Sequence, residues 1–385
     1  MAQEAVDKAV ALGRLDAGRC LTARLPLVGA VDRAELARIR ARRHTRRARP
    51  LYLKSIGAPL VSGGFALPCR KGSGDMGGRI SDRAGGVMTT LVFGPGRDEM
   101  SVSGAAAVGD YLFLALDEGS SLVRLTRSHD GDYGALIAYP VSEFVDPPGD
   151  PGDELDLEGM DYAGGYLCFT GSHSNVRTRV KADTETAQVP NRLAEVKHPK
   201  ARRLLARVPL QDGTRIPDST VPATATHDEL SAARLSSRDG QSLVDALRAD
   251  EHIGPFLAIP SKDNGLDIEG LVTLPPRLLV GLRGPVLRGW AIVLEIEPRL
   301  DPTDPTLLQL APLDSPAGPR YRKHFLDMDG LGVRDLTRDR DDLLILAGPT
   351  MLLDGPSRIL RIPHGAFTRC PKRCAPTALS SWVTI

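Results

Sequence analysis

From about residue 88 onward, apolar residues gather in short runs separated by glycine, proline and aspartate. LFLAL (112–116), YLCFT (166–170), LLVGL (278–282) and LLILA (343–347) are each too short for a buried helix and are bounded by turn formers, the pattern of strands. Four longer segments share one plan of a small or acidic start, an apolar pair, a turn, an apolar strand and a second turn. They are SVSGAAAVGDYLFLALDEGSSLVRL (101–125), DLEGMDYAGGYLCFTGSHS (156–174), DIEGLVTLPPRLLVGLRGPVLRGWAIVLEIE (267–297) and GVRDLTRDRDDLLILAGPT (332–350). With Ser103, Glu158, Glu269 and Arg334 aligned, Asp117, Ser172, Arg283 and Gly348 stand fourteen residues later, each just past a strand. Gly109-Asp110, Gly164-Gly165, Pro275-Pro276 and Asp341-Asp342 supply the turns between.

Repeated antiparallel strand units of this kind predict an all-β chain, a β-propeller of about six blades with five to seven permitted, over residues 86–363. The alternation fades after Pro363, so the ring is expected to be incomplete at that end unless 364–385, a tail or a closing strand, seals it. Ser242 followed by Asp245 opens one short helical insert, SLVDALRAD (242–250).

Residues 1–85 lack this patterning. They read as a disordered extension, or as chain translated upstream of the true start. Seven arginines between Arg38 and Arg49 leave open a basic surface, and Arg46-Arg47 a twin-arginine export signal. Composition agrees with a turn-rich β protein: aromatics are 4%, with 39 Gly and 30 Pro among 385 residues. A net charge of +1 gives no reason to expect nucleic acid as a partner, and no apolar stretch is long enough for a membrane span. The basic residues are 40 Arg and 9 Lys, a bias that weakens arginine as a sign of phosphate binding. Five unevenly spaced cysteines imply reduced thiols in a cytoplasmic protein, and Cys370-x3-Cys374 near His364 lacks the second pair of a zinc site.

Chemistry concentrates on the repeat. Residues two apart in a strand share a face, so Asp156 with Glu158 and Asp267 with Glu269 each present paired carboxylates. The first strand of a propeller blade lines the axis, which brings Glu158, Glu269 and Arg334 towards one another. Such carboxylates need a cation, a proton or water, and Arg283, Arg334 or a hard divalent ion, Ca²⁺ or Mg²⁺, would serve. Asp156, Glu158, Asp267 and Glu269 are therefore candidate metal ligands. Equally open is a structural role in which D-x-E-G opens a strand, its acids bonding the neighbouring blade and Gly159 and Gly270 permitting close approach. His173 in GSHSNVR is a candidate general base or anion contact; Asp117, Arg177 and Arg288 are candidate ligand contacts. G-x-S-x-G, Walker and H-E-x-x-H motifs are absent from the sequence.

KDNGLDIEGL, LLVGLRGPVLRGWA, LDLEGMDY with GSHS, and GLGVRDL with LLILAGPT resemble the bacterial family known as domain of unknown function 3616, over about residues 88–363. The resemblance implies a fold like the propellers described as esterase-like or phytase-like, and carries no established activity. Members resemble this chain from about GPGRDEMSVSGA onward, leaving 1–85 as an extra, and their continuation past Pro363 has no counterpart here. The expected function is a soluble propeller that binds a small anionic or ester ligand at the channel mouth, with Ca²⁺ or Mg²⁺, as a hydrolase. In it Glu158 and Glu269 act as metal ligands or general base, Asp156 and Asp267 support them, and Arg283 and Arg334 stabilise developing negative charge. The alternative is a non-catalytic scaffold for a protein partner.

Overall fold

The computed structural model describes residues 89–93, 101–210, 231–351, 355–363 and 383–384. The expectations for 1–85 and for the Cys370–Cys374 pair lie outside these residues.

In chain order, β1 (Val102–Val108), β2 (Tyr111–Leu116), β3 (Ser121–Arg127) and β4 (Tyr133–Pro140) form blade 1 as an antiparallel meander. Blade 2 starts with β5 (Leu157–Ala163) and β6 (Tyr166–Gly171); a ribbon of β7 (Val176–Arg177) and β8 (Val196–Lys197) intervenes before β9 (Leu205–Pro209) and β10 (Ala233–Leu235). Blade 3 contains β11 (Asp267–Leu274), β12 (Arg277–Gly284) and β13 (Trp290–Ile296). The chain then lends β14 (Pro298–Leu300) and β15 (Leu307–Leu310) to blade 2, where β15 pairs parallel to β10, before β16 (Tyr321–Asp327) completes blade 3. Blade 4 holds β17 (Gly332–Asp339), β18 (Asp342–Gly348) and β19 (Arg358–Ile362), with β20 (Val383–Thr384) paired to β19 at its outer edge.

These sheets stand in a ring as the blades of a β-propeller, with β1, β5, β11 and β17 innermost. Among the described residues the blades number four, not about six. A period of about 40–50 residues underestimates the chain that each blade consumes. Inner strands begin at residues 102, 157, 267 and 332, because inserts and the borrowed β14–β15 hairpin lengthen the middle units.

Each inner hairpin turns in two residues, between Val108 and Tyr111, Ala163 and Tyr166, Leu274 and Arg277, and Asp339 and Asp342. The last turn is thus Arg340-Asp341, one residue earlier than the sequence suggests. Arg340 takes the left-handed φ of +58° there and Asp342 opens β18. Helix α1 (Val189–Ala194) lies between β7 and β8, and α2 (Leu243–Leu247) follows β10. The expected cap holds α2: Asp245 N donates to Ser242 Oγ at 3.1 Å.

Second strands are apolar on both faces because both are covered. In β2, Phe113 and Ala115 enter the layer shared with blade 2, while Leu112 and Leu114 pack on the other side with Leu91 and Phe93. Ile268, Leu271 and Val280 fill the layer between blades 2 and 3. Val272, Val293, Val333 and Leu336 fill that between blades 3 and 4. Burial of such a side chain stabilises by about 2 kcal/mol, which makes these layers the main adhesive between blades.

Candidate functional site at the mouth of the axis

One irregularity recurs in all four inner strands. The pairing register slips between Val102 and Gly104, Leu157 and Gly159, Ile268 and Gly270, and Val333 and Asp335. The residues skipped are Ser103, Glu158, Glu269 and Arg334, the four positions that the repeat aligned. Each is the extra residue of a β-bulge, a device that bends a strand and re-aims a side chain. Antiparallel pairing places the start of each inner strand beside the end of the next, so Asp117, Ser172, Arg283 and Gly348 share this end of the axis.

The glycine after the bulge has a separate task. A Cβ on Gly104 would lie 2.3 Å from the Glu158 carbonyl oxygen, one on Gly159 2.8 Å from Leu271 Cβ, and one on Gly270 2.9 Å from Leu336 Cγ. Each glycine therefore lets the following blade approach. Blade 4 has buried Asp335 at this position.

Between blades 3 and 4 the charges are matched. Arg283 Nη1 donates to Glu269 Oε1 at 3.0 Å and Asp267 Oδ2 at 3.3 Å, while Arg334 Nε meets Glu269 Oε2 at 2.8 Å. Asp267, Glu269 and Arg283 are buried, Arg334 half-buried. Burial and the neighbouring Glu269 charge push Asp267 up to about 7, against the pull of Arg283. Burial works against the Arg283 charge, yet Glu269, Asp267 and also Glu158 hold its guanidinium protonated above the usual range. Of the residues expected to converge, Glu269 and Arg334 thus meet, and Arg283 joins Glu269 to Asp267.

Towards blade 1 the balance is acidic. Asp117, Asp156 and Glu158 bring carboxylate oxygens within 4.8 Å of one another. Asp156 is buried with φ +50°; Ser172 Oγ donates to its Oδ2, and Arg202 Nη1 donates to the same oxygen at 2.6 Å. Burial and a hydrogen bond with Asp117 push Asp156 up to about 8 despite Arg202. Arg202 was invisible in the repeat because it belongs to the long connection before β9, where no spacing ties it to Asp156.

Other expected site residues lie elsewhere. His173 is buried, with Nδ1 3.0 Å from the Gly171 carbonyl, and burial pulls it down to about 4. It is a neutral framework residue and not a solvent-accessible base. Arg177 donates to Asp263 Oδ2 at 2.7 Å and to the Leu193 carbonyl. Arg288 is exposed at a turn with φ +47° and makes no hydrogen bond or ion pair with the mouth carboxylates among the described residues. A cleft of about 530 Å³ opens on the outer side, where Phe144, Arg234, Arg238 and Asp304 meet. Its arginines are occupied by Asp146, Ser237 and Asp304.

Bulged inner strands, glycine-spaced blades and a charged axial mouth define a β-propeller with a polar end site. The chain belongs to the family described as "Protein of unknown function (DUF3616)", whose profile matches residues 101–385. That match reaches Ile385 and so includes the segment beyond Pro363. No curated protein matches the chain. Among the described residues no helix is long and apolar enough to cross a membrane.

Proposed function

We propose that this propeller binds a hard divalent cation, Ca²⁺ or Mg²⁺, at the mouth of its axis, and through it a small anionic or ester ligand. The observation that carries the reading is the meeting of Asp117, Asp156 and Glu158, from two blades, with oxygens within 4.8 Å. Carboxylates that close require a proton or a cation, and hard cations take oxygen ligands. Asp117 and Glu158 would hold the ion with Asp156. Asp267 and Glu269 would orient Arg283 and Arg334, whose guanidiniums would face negative charge on the ligand. Hydrolysis of an ester or phosphoester is the chemistry such a centre would support.

A non-catalytic protein-interaction scaffold is favoured by a different observation. Glu269 is clamped by two guanidiniums, and Ser103 Oγ donates to the Leu157 carbonyl, so the same positions staple neighbouring blades. Titration calorimetry of Ca²⁺ and Mg²⁺ against wild type and Glu158→Gln, with a turnover screen of esters and phosphoesters, separates the two. Binding by wild type that falls at least about tenfold in the variant supports the cation site. Wild-type protein that is folded yet shows neither binding heat nor turnover rejects it, and the scaffold reading stands.

A further inference from the structure

The connection between β6 and β9 leaves the mouth at Ser172 and returns to it at Arg202, and both ends are fastened to one side chain. Ser172 Oγ donates to Asp156 Oδ2, with Ser174 Oγ 2.8 Å from Ser172 Oγ. On the return leg, Arg202 donates to that same Asp156 oxygen at 2.6 Å and to Glu154 Oε1 at 2.6 Å. The outgoing foot itself is buried, and there His173 N donates to the Arg202 carbonyl at 2.9 Å and Asn175 Nδ2 to the Leu257 carbonyl at 2.7 Å; between the feet, none of residues 176–200 is buried. Strands β7 and β8 pair only through Val176 with Lys197 and Arg177 with Val196, and α1 buries none of its residues. Arg177 clips the outgoing strand to Asp263. A segment with so little buried apolar surface opens at low cost, so its polar attachments decide where it rests. Asp156 and His173, at the outgoing foot, both have left-handed φ, +50° and +56°, a conformation maintained only while surrounding contacts enforce it.

We infer that residues 176–200 form a hinged wall of the mouth, clasped by Asp156 through Ser172 and Arg202 and released when another species takes the Asp156 carboxylate. The clasp itself needs no ligand; only the identity of the competing species rests on the cation reading. Arg202 is thus a positioning residue. A cation at Asp156 and the Arg202 guanidinium would compete for one carboxylate, and the coupling is reciprocal: a cation that loosens the wall is bound more tightly once Arg202 no longer holds Asp156. Removing Arg202 should therefore tighten binding, whereas a residue that only supported the fold would weaken it when lost.

Hydrogen exchange on the full chain tests this with wild type, Arg202→Gln and Asp156→Gly. Glycine suits Asp156 because it tolerates the left-handed region while removing the acceptor that both feet share. Both variants should raise exchange in 176–200 by about tenfold or more, as expected for a lost charge-assisted bond, while α2 and blade 4 stay unchanged. Unchanged exchange in 176–200, or an equal rise throughout the chain, overturns the clasp. Calorimetry with Ca²⁺ provides the second arm. Tighter binding by Arg202→Gln than by wild type, with Ca²⁺ raising wild-type exchange in 176–200, supports the competition; weaker binding or unaltered exchange overturns it. If Ca²⁺ does not bind at all, the cation reading fails, and the exchange of the two variants still decides the clasp.

Discussion

Replacing Arg283 by methionine keeps an apolar stem like that of arginine and removes the guanidinium, leaving Asp267 and Glu269 buried side by side. All three side chains are nearly inaccessible, at 7%, 5% and 3% exposure. Removing one partner of a buried ion pair costs about 3–5 kcal/mol, because the remaining charge has no water to turn to. The loss is bounded, since Asp267, already raised to about 7, can escape by taking a proton at a cost of about 1.4 kcal/mol at pH 8. Arg334 continues to hold Glu269 Oε2 at 2.8 Å, so a figure of about 3 kcal/mol at pH 8 is expected. Below pH 6 protonation of Asp267, already raised to about 7 in the parent, should absorb part of the penalty. Urea unfolding at pH 5.5 and pH 8 measures both quantities. Arg334→Met, at a side chain 32% exposed, serves as the comparison and should cost about 1 kcal/mol. A loss below about 1 kcal/mol for Arg283→Met, or the same loss at both pH values, would show that the network is not the electrostatic keystone of the mouth.

Three further outcomes follow from the geometry. Asp156 and Asp267 have folded values raised to about 8 and about 7, so each contributes stability below its unfolded value that is lost as pH rises through the folded one. Buried His173, lowered to about 4, acts in the opposite sense between pH 4 and 6.5. Asp156→Asn, which keeps the neutral form, should therefore gain on wild type by up to about 1.4 kcal/mol per pH unit between pH 5 and 8 in urea titrations; a constant difference would contradict the raised Asp156. Gly104→Ala should cost about 2–3 kcal/mol by thermal or urea unfolding, because its Cβ would meet the Glu158 carbonyl oxygen at 2.3 Å and blade 2 would have to shift. Gly109→Ala, in open space but at φ +58°, should cost only about 1 kcal/mol, and equal losses would refute the close-approach account.

Much of the candidate site was legible in the sequence. The spacing that aligned Ser103, Glu158, Glu269 and Arg334 reflects a real equivalence, since all four occupy the same bulge. The bulge itself was not legible: a one-residue register slip depends on the partner strand, and local sequence carries no separate mark for it. The helix cap at Ser242 was legible because capping chemistry lies within one turn of chain. Arg202 was not, because its bond to Asp156 spans 46 residues and is set by how an insert folds back. His173 looked like chemistry in GSHS, yet depth of burial decided its state, and burial belongs to the packed molecule.

The sequence by itself determined the class of fold and the positions that repeat, because apolar alternation and turn residues act over a few neighbours. Tertiary structure decided the number of blades, the loan of β14–β15 to blade 2 and the division of the mouth into an arginine-matched half and an acidic half. Those are facts of distance between residues far apart in the chain. Coulomb energies and close packing respond to ångströms in space, and the spacing of residues along the chain fixes those only after the blades have closed on one another.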